Sequence, residues 1–276
     1  VFFEWAITRY MLRRPTTLLD GSACITGLLL GMNLPSNFPI WMIIVGALVA
    51  IGIGKMTFGG LGCNPFNPAI VGRCFLLVSF PAAMTSWPVA GQQMAYTDAV
   101  TGATPLSLMK TAIKTGDVSV LQGLPDTVDM LLGNVANGYG AGTIGEVCAL
   151  ALIAGLIWML WRRVITWHIP VTILATVFVL SGALHAANPV YAHPMAVVLS
   201  GGLMLGAIFM ATDYVTSPMT HRGQVIYAVG IGVLTVVIRN WGSYPEGMSF
   251  AILIMNAFTP LINFYVKPKR FGEVSR

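Results

Sequence analysis

Apolar runs long enough to cross a bilayer recur along this chain, and few charges interrupt them. A membrane-spanning helix needs about 20 mostly apolar residues, fewer if it is broken. Eight segments qualify, at 20–34, 38–57, 66–84, 143–161, 168–187, 195–212, 221–239 and 247–266, after a partial one over Val1–Leu12. The composition agrees, with 56% hydrophobic and 9% charged residues, where a soluble domain carries about 25% charge. Such a chain has too little polar surface to coat a water-soluble globule. Soluble enzyme, nucleic-acid binder and disordered linker are therefore poor readings. The expected fold is an all-α polytopic membrane protein with about eight full spans. The sequence opens on Val1 with half a helix and no signal-peptide pattern, so further residues are expected before it.

Loop charges predict the orientation. With the sides numbered by alternation, one side receives eleven basic residues: Arg9, Arg13, Arg14, Lys55, Arg162, Arg163, Arg222, Lys267, Lys269, Arg270 and Arg276. The other receives three, Lys110, Lys114 and Arg239. The basic side is expected to be cytoplasmic, which puts the C-terminus inside and the long loop 85–142 outside. Trp41, Trp87, Trp158, Trp161, Trp167 and Trp241 fall at segment edges, as an interfacial aromatic belt does.

A shift of 180 residues aligns Gly62-Cys63-Asn64-Pro65-Phe66 with Gly242-Ser243-Tyr244-Pro245-Glu246, and Asn33 with Asp213. The segment 38–57 then meets 221–239 without a gap. Five spans lie between the copies, so the repeat is inverted, with broken helices at matching positions. The expected organisation is a first half over 1–84, an extracytoplasmic loop over 85–142 and an inverted second half over 143–276.

The loop contains Asp98-Ala99-Val100-Thr101-Gly102-Ala103-Thr104-Pro105-Leu106. Two hydroxyls stand three residues apart, with little bulk between them at Gly102 and Ala103. Pro105 fixes the backbone and disfavours a helical Thr104. The residues alone describe a turn with an accessible threonine, and Asp98 serves either a metal or a local turn. The segment resembles the flavinylation motif Asp-x-x-[Ser/Thr]-Gly-Ala-[Thr/Ser], whose last hydroxyl carries FMN through a phosphoester. That resemblance implies Thr104 as the attachment residue, with Asp98, Thr101, Gly102 and Ala103 as its supporting positions.

The rest of the chain resembles one family. Phe58-Gly59-Gly60-Leu61-Gly62-Cys63-Asn64-Pro65-Phe66-Asn67-Pro68-Ala69, Ser79-Phe80-Pro81, Met84-Thr85-Ser86-Trp87, Trp167-His168-Ile169-Pro170 and Tyr244-Pro245-Glu246-Gly247 are similar to RnfD, the D component of the Rnf complex, from about Asp20 to Phe271. The resemblance implies an electron-transfer subunit of a complex that exchanges electrons between ferredoxin and NAD and moves Na⁺ or H⁺. It also implies other Rnf subunits as partners and a flavin transferase, using FAD and Mg²⁺, to attach the FMN. This chain alone would then hold no complete active site, and it shows no Gly-rich dinucleotide fingerprint after a strand. The B component of the Na⁺-translocating NADH:quinone reductase is a homologous alternative. A non-redox channel of inverted-repeat architecture, as among urea channels, is another, but it leaves the flavinylation motif without a use.

Two Asn-Pro steps, Asn64-Pro65 and Asn67-Pro68, sit where a loop re-enters the membrane. Proline frees nearby carbonyls, and the asparagines add amide donors and acceptors. A helix entry capped by Asn with Pro at its first turn explains the pattern; so does a polar cradle. The resemblance implies Asn64 and Asn67 as contacts for a non-covalent riboflavin. Asp213, flanked by Thr212 and Thr216, either caps a broken helix or lines an ion path. Asp20 reads as an N-cap. Arg73, Glu146, Arg239 and Glu246 near segment ends are expected to snorkel to water. Cys24, Cys63, Cys74 and Cys148 read as buried thiols, and the four histidines have no metal-site spacing.

Overall fold

The computed structural model describes residues 1–14, 18–88, 102–133, 142–244 and 246–267. Among the described residues all regular elements longer than a single bridge are helical. They are α1 (Phe2–Ala6), α2 (Ser22–Met32), α3 (Ile40–Leu48, wound on to Phe58 by wider and tighter turns), α4 (Pro68–Ser79), α5 (Pro81–Met84), α6 (Pro105–Thr115) and α7 (Thr127–Leu132). There follow α8 (Ala149–Trp161), α9 (His168–Ala187), α10 (Pro194–Leu199), α11 (Leu203–Leu205, extended by a π-turn to Met210), α12 (His221–Trp241) and α13 (Met248–Tyr265).

Among the described residues, four helices are long and apolar enough to cross a membrane: Ile40–Phe58, His168–Ala187, His221–Trp241 and Met248–Tyr265, of 19, 20, 21 and 18 residues. At about 1.5 Å per residue they match the ~30 Å hydrocarbon core. The expected eight full spans are not met. Three of the remaining segments form apolar helices of only 11, 12 and 13 residues, α2, α4 and α8. The segment 195–212 is split between α10 and α11. Turn chemistry inside the apolar runs does this. Asn67-Pro68 starts α4 and Pro81 follows its end, while Gly201 takes the left-handed φ of +67° between α10 and α11. Hydropathy registers none of these breaks.

The core lies where α12 packs along α9 and α13, with α4 against α2, α3 and α13. Ile173, Tyr227, Ile231, Ala207 and Ile252 are fully buried there. α3 and α4 approach so closely that a Cβ on Gly72 would stand 2.8 Å from the Ala50 Cβ and 3.0 Å from the Gly46 carbonyl oxygen. Small residues permit such backbone contact between apolar helices.

The broken segment between α10 and α11 shows how an irregular backbone survives inside an apolar bundle. Its loose polar groups must be satisfied by protein. Arg239 donates to the carbonyls of Val197 (2.8 Å) and Ser200 (3.0 Å), at the negative end of α10. Glu246 accepts the Gly202 N–H at 3.0 Å, where the next helical turn begins. Each charge complements the helix end it meets. Glu246 is in turn held by both terminal nitrogens of Arg73, which also donates to Ser249. Arg73 and Arg239 are buried and Glu246 nearly so, which corrects the expectation of snorkelling. Glu146 likewise turns inward, accepting the Thr143 N–H at 2.8 Å. Side-chain reach allows either outcome; the buried carbonyls of the break decide it.

Other expectations are refined. α2 starts one residue after Gly21, and Asp20 accepts both the backbone N–H (2.8 Å) and the hydroxyl of Ser22. Only Cys74 is buried; Cys24 and Cys63 are exposed and Cys148 is intermediate.

Candidate functional site

A cavity of about 390 Å³ lies between α2, the turn before α4, α8 and the segment after α11. It falls in the ~300–1,000 Å³ range of small-molecule sites. Its wall unites Asn64 and Asn67, from one turn, with Asp213, which was singled out in a distant segment of the sequence. Most of the rest is apolar, including Leu28, Leu29, Leu61, Met159 and Phe209.

Asn67 serves both of its possible roles at once. Its side-chain oxygen caps α4, accepting from the N–H groups of Ala69 (3.0 Å) and Ile70 (3.4 Å), with Pro68 at the first helical position. Its amide donates to the Met210 carbonyl at 3.2 Å, satisfying the end of the π-turn after α11. Behind it, the Asn67 N–H reaches the Asn256 side chain at 3.2 Å, once the Asn256 amide is turned to donate to the Tyr227 hydroxyl. Asn64 spends one amide hydrogen on the Phe66 carbonyl at 3.0 Å, which leaves a second donor and its oxygen. Asp213 is half-buried; its carboxylate accepts from the Val215 N–H (3.4 Å) and the Thr216 hydroxyl (3.3 Å). It therefore closes a local turn and faces the cavity as well.

Lys55 completes this wall, and sequence reasoning missed it by counting it among loop charges. It is 1% exposed, and its ammonium donates to Glu4 (2.7 Å) and to the Ser22 hydroxyl (2.6 Å). The available signal was its position at the end of an apolar run, before Gly59 and Gly60, with no acidic neighbour in the same helix.

Thr104 stands apart from this cavity. It is the N-cap of α6, accepting the Ser107 N–H at 3.3 Å while its carbonyl accepts the Ser107 hydroxyl at 2.7 Å. At 7% exposure it is buried, not the accessible hydroxyl expected from the loop composition. Capping turns the side chain back over the helix end. Ala103 beside it is exposed, and the Gly102 N–H donates to the Trp87 carbonyl at 3.0 Å. Asp98 and Thr101 lie outside the described residues. α6 is fastened by Lys110, which donates to the carbonyls of Gly242 (2.5 Å) and Tyr244 (2.7 Å) just past α12. Burial, with Lys114 nearby, holds the Lys110 ammonium below the ordinary lysine value. Asp213 precedes the start of α12 and Lys110 binds just beyond its end. The cavity and Thr104 thus belong to opposite ends of that helix, about 30 Å long.

The chain matches the NQR2, RnfD, RnfE family over residues 1–272. It is 45% identical over 267 residues to the D component of the Na⁺-translocating ferredoxin:NAD⁺ oxidoreductase complex of Acetobacterium woodii, covering 97% of this chain and 78% of that protein. It is 42% identical to the D component of the proton-translocating ferredoxin:NAD⁺ oxidoreductase complex of Clostridium ljungdahlii, covering 96% and 80%. Against the D component of the ion-translocating oxidoreductase complex of Stutzerimonas stutzeri the identity is 39%, over 97% and 80%. With a family match along nearly its whole length and relatives of this similarity, the chain belongs to the NQR2, RnfD, RnfE family.

Proposed function

We propose that this chain is a membrane electron-transfer subunit of an ion-translocating ferredoxin:NAD⁺ oxidoreductase complex, carrying FMN on Thr104 through a phosphoester and a non-covalent riboflavin in the cavity of Asn64 and Asn67. The observation that carries it is the segment Asp98–Thr104, matching the flavinylation motif at every position, in a chain whose relatives are named as subunits of such complexes.

The residues at both places suit these groups. Thr104 heads α6, which has 11 residues. A phosphate on its oxygen meets the positive end of that helix and the N–H groups of its first turn. Gly102 and Ala103 leave room beside it. At the other end, the cavity offers apolar walls for a ring, and Asn64 and Asn67 offer amides for its polar edge. Bound flavins supply the redox chemistry; the chain supplies position, dryness and electrostatics. The other Rnf subunits would exchange electrons with it, and a flavin transferase would attach the FMN.

In this reading the long loop with Thr104 faces outward and the basic side is cytoplasmic. The two halves, 1–84 and 143–276, form an inverted repeat. Helix bounds support that pairing: shifted by 180 residues, His221–Trp241 overlies Ile40–Phe58, and the start of Met248–Tyr265 overlies Pro68. Asp213 is the candidate for an ion path, whether for Na⁺ or H⁺.

The test is denaturing gel electrophoresis under ultraviolet light, with the chain expressed beside its flavin transferase. A fluorescent band in wild type that vanishes in Thr104→Val is expected. No band in wild type, with the transferase shown active on another target, overturns the covalent-flavin reading and favours a channel without redox chemistry.

A further inference from the structure

The least explained feature of the cavity is Lys55. A buried ammonium is costly unless it is paired and hydrogen-bonded. Lys55 is 1% exposed and has three N–H donors. Two are used, on Glu4 at 2.7 Å and on the Ser22 hydroxyl at 2.6 Å. Ser22 donates its own hydroxyl hydrogen to Asp20, so it presents a lone pair to Lys55. These partners come from α1 and the start of α2. Among the described residues its third N–H is unused, and Lys55 lines the cavity.

We propose that Lys55 is the electrostatic partner of the ring bound in this cavity, donating its third N–H to an acceptor atom on the ring's polar edge, with Glu4 and Ser22 fixing its position. The inference rests on the riboflavin reading of the cavity and assigns a tuning role within it. A ring that takes up electrons gains negative charge or basicity along its acceptor edge. A cation beside it, inside apolar walls such as Leu28, Leu29 and Phe209, favours the reduced ring over the oxidised one. Glu4 offsets part of that field, so the pair together sets the potential. A lysine that merely tethers α1 to α3 would leave the potential unchanged.

The experiment is a redox titration of acid-releasable flavin in the purified complex, together with its stoichiometry; covalently attached flavin does not enter this count. Lys55→Met is combined with Glu4→Leu, because replacing both partners of a buried pair is tolerated where removing one is not. The double variant is expected to favour the oxidised flavin about tenfold more than wild type, a midpoint lower by about 30 mV for a two-electron couple, with lower occupancy. Lys55→Arg keeps the charge and is expected to stay closer to wild type. If this double variant does not assemble, Lys55→Gln with Glu4→Gln is read instead, which replaces the ion pair by a neutral hydrogen-bonding pair; its midpoint is expected to fall in the same direction. Releasable flavin present at unchanged midpoint in whichever of these variants is read overturns the role of Lys55 and leaves the cavity reading standing. No releasable flavin in wild type overturns the cavity reading itself, and the inference with it.

Discussion

Glu246→Gln is the substitution that most directly tests how the broken segment is held. Glutamine keeps an oxygen for the Gly202 N–H, which Glu246 accepts at 3.0 Å. It removes the negative charge gripped by both terminal nitrogens of Arg73, whose side chain is 4% exposed. Arg73 then becomes a buried cation without a counter-charge in contact, still donating to the neutral Ser249 hydroxyl. Breaking one side of a buried ion pair costs about 3–5 kcal/mol. At about 2–4 °C per kcal/mol for a chain of this size, the apparent melting temperature falls by roughly 6–20 °C. The assay is thermal unfolding of the purified chain in detergent, followed by tryptophan fluorescence, at one scan rate for all variants. Arg73→Met combined with Glu246→Gln removes both charges and is expected to recover most of the loss. If Glu246→Gln melts within about 2 °C of wild type, or the double variant is as unstable as the single, the ion pair does not hold the break.

Four other contacts carry outcomes of their own. Thr104→Asn separates capping from attachment: asparagine caps α6 about as well as threonine, so the melting temperature stays near wild type while covalent flavin fluorescence is lost. Gly72→Ala forces a methyl into the Ala50 side chain, 2.8 Å from the built Cβ; overpacking of this kind costs about 1–3 kcal/mol, read as a lower melting temperature. Asn67→Ala removes the cap of α4 and the donor to Met210; about 2 kcal/mol is expected from cap and hydrogen bond together, with loss of acid-releasable flavin. Lys110→Met frees the carbonyls of Gly242 and Tyr244 and loosens α6. Limited proteolysis is expected to cut the α6 region faster, and an unchanged cleavage rate would refute the clamp.

Membrane character was legible in the residues themselves, and so were the local motifs. Hydropathy is additive along a chain, and a motif such as Gly102-Ala103-Thr104-Pro105 is local, so neither needs a fold to be seen. The capping role of Asn67 was legible for the same reason, since Asn followed by Pro is a helix start in any surroundings. Tertiary structure alone decided which segments run unbroken, because a left-handed Gly201 or a proline entry costs hydropathy nothing. It alone turned Thr104 inward as a helix cap and kept Arg73, Arg239 and Glu246 from water, since orphaned carbonyls and amides in an apolar bundle must be met by some side chain. The pairing of Arg73 with Glu246 spans 173 positions, and the meeting of Lys55 with Glu4 spans 51. No period or spacing in the sequence encodes such distances. The cavity that joins Asn64, Asn67, Asp213 and Lys55 exists only once short helices are packed against one another.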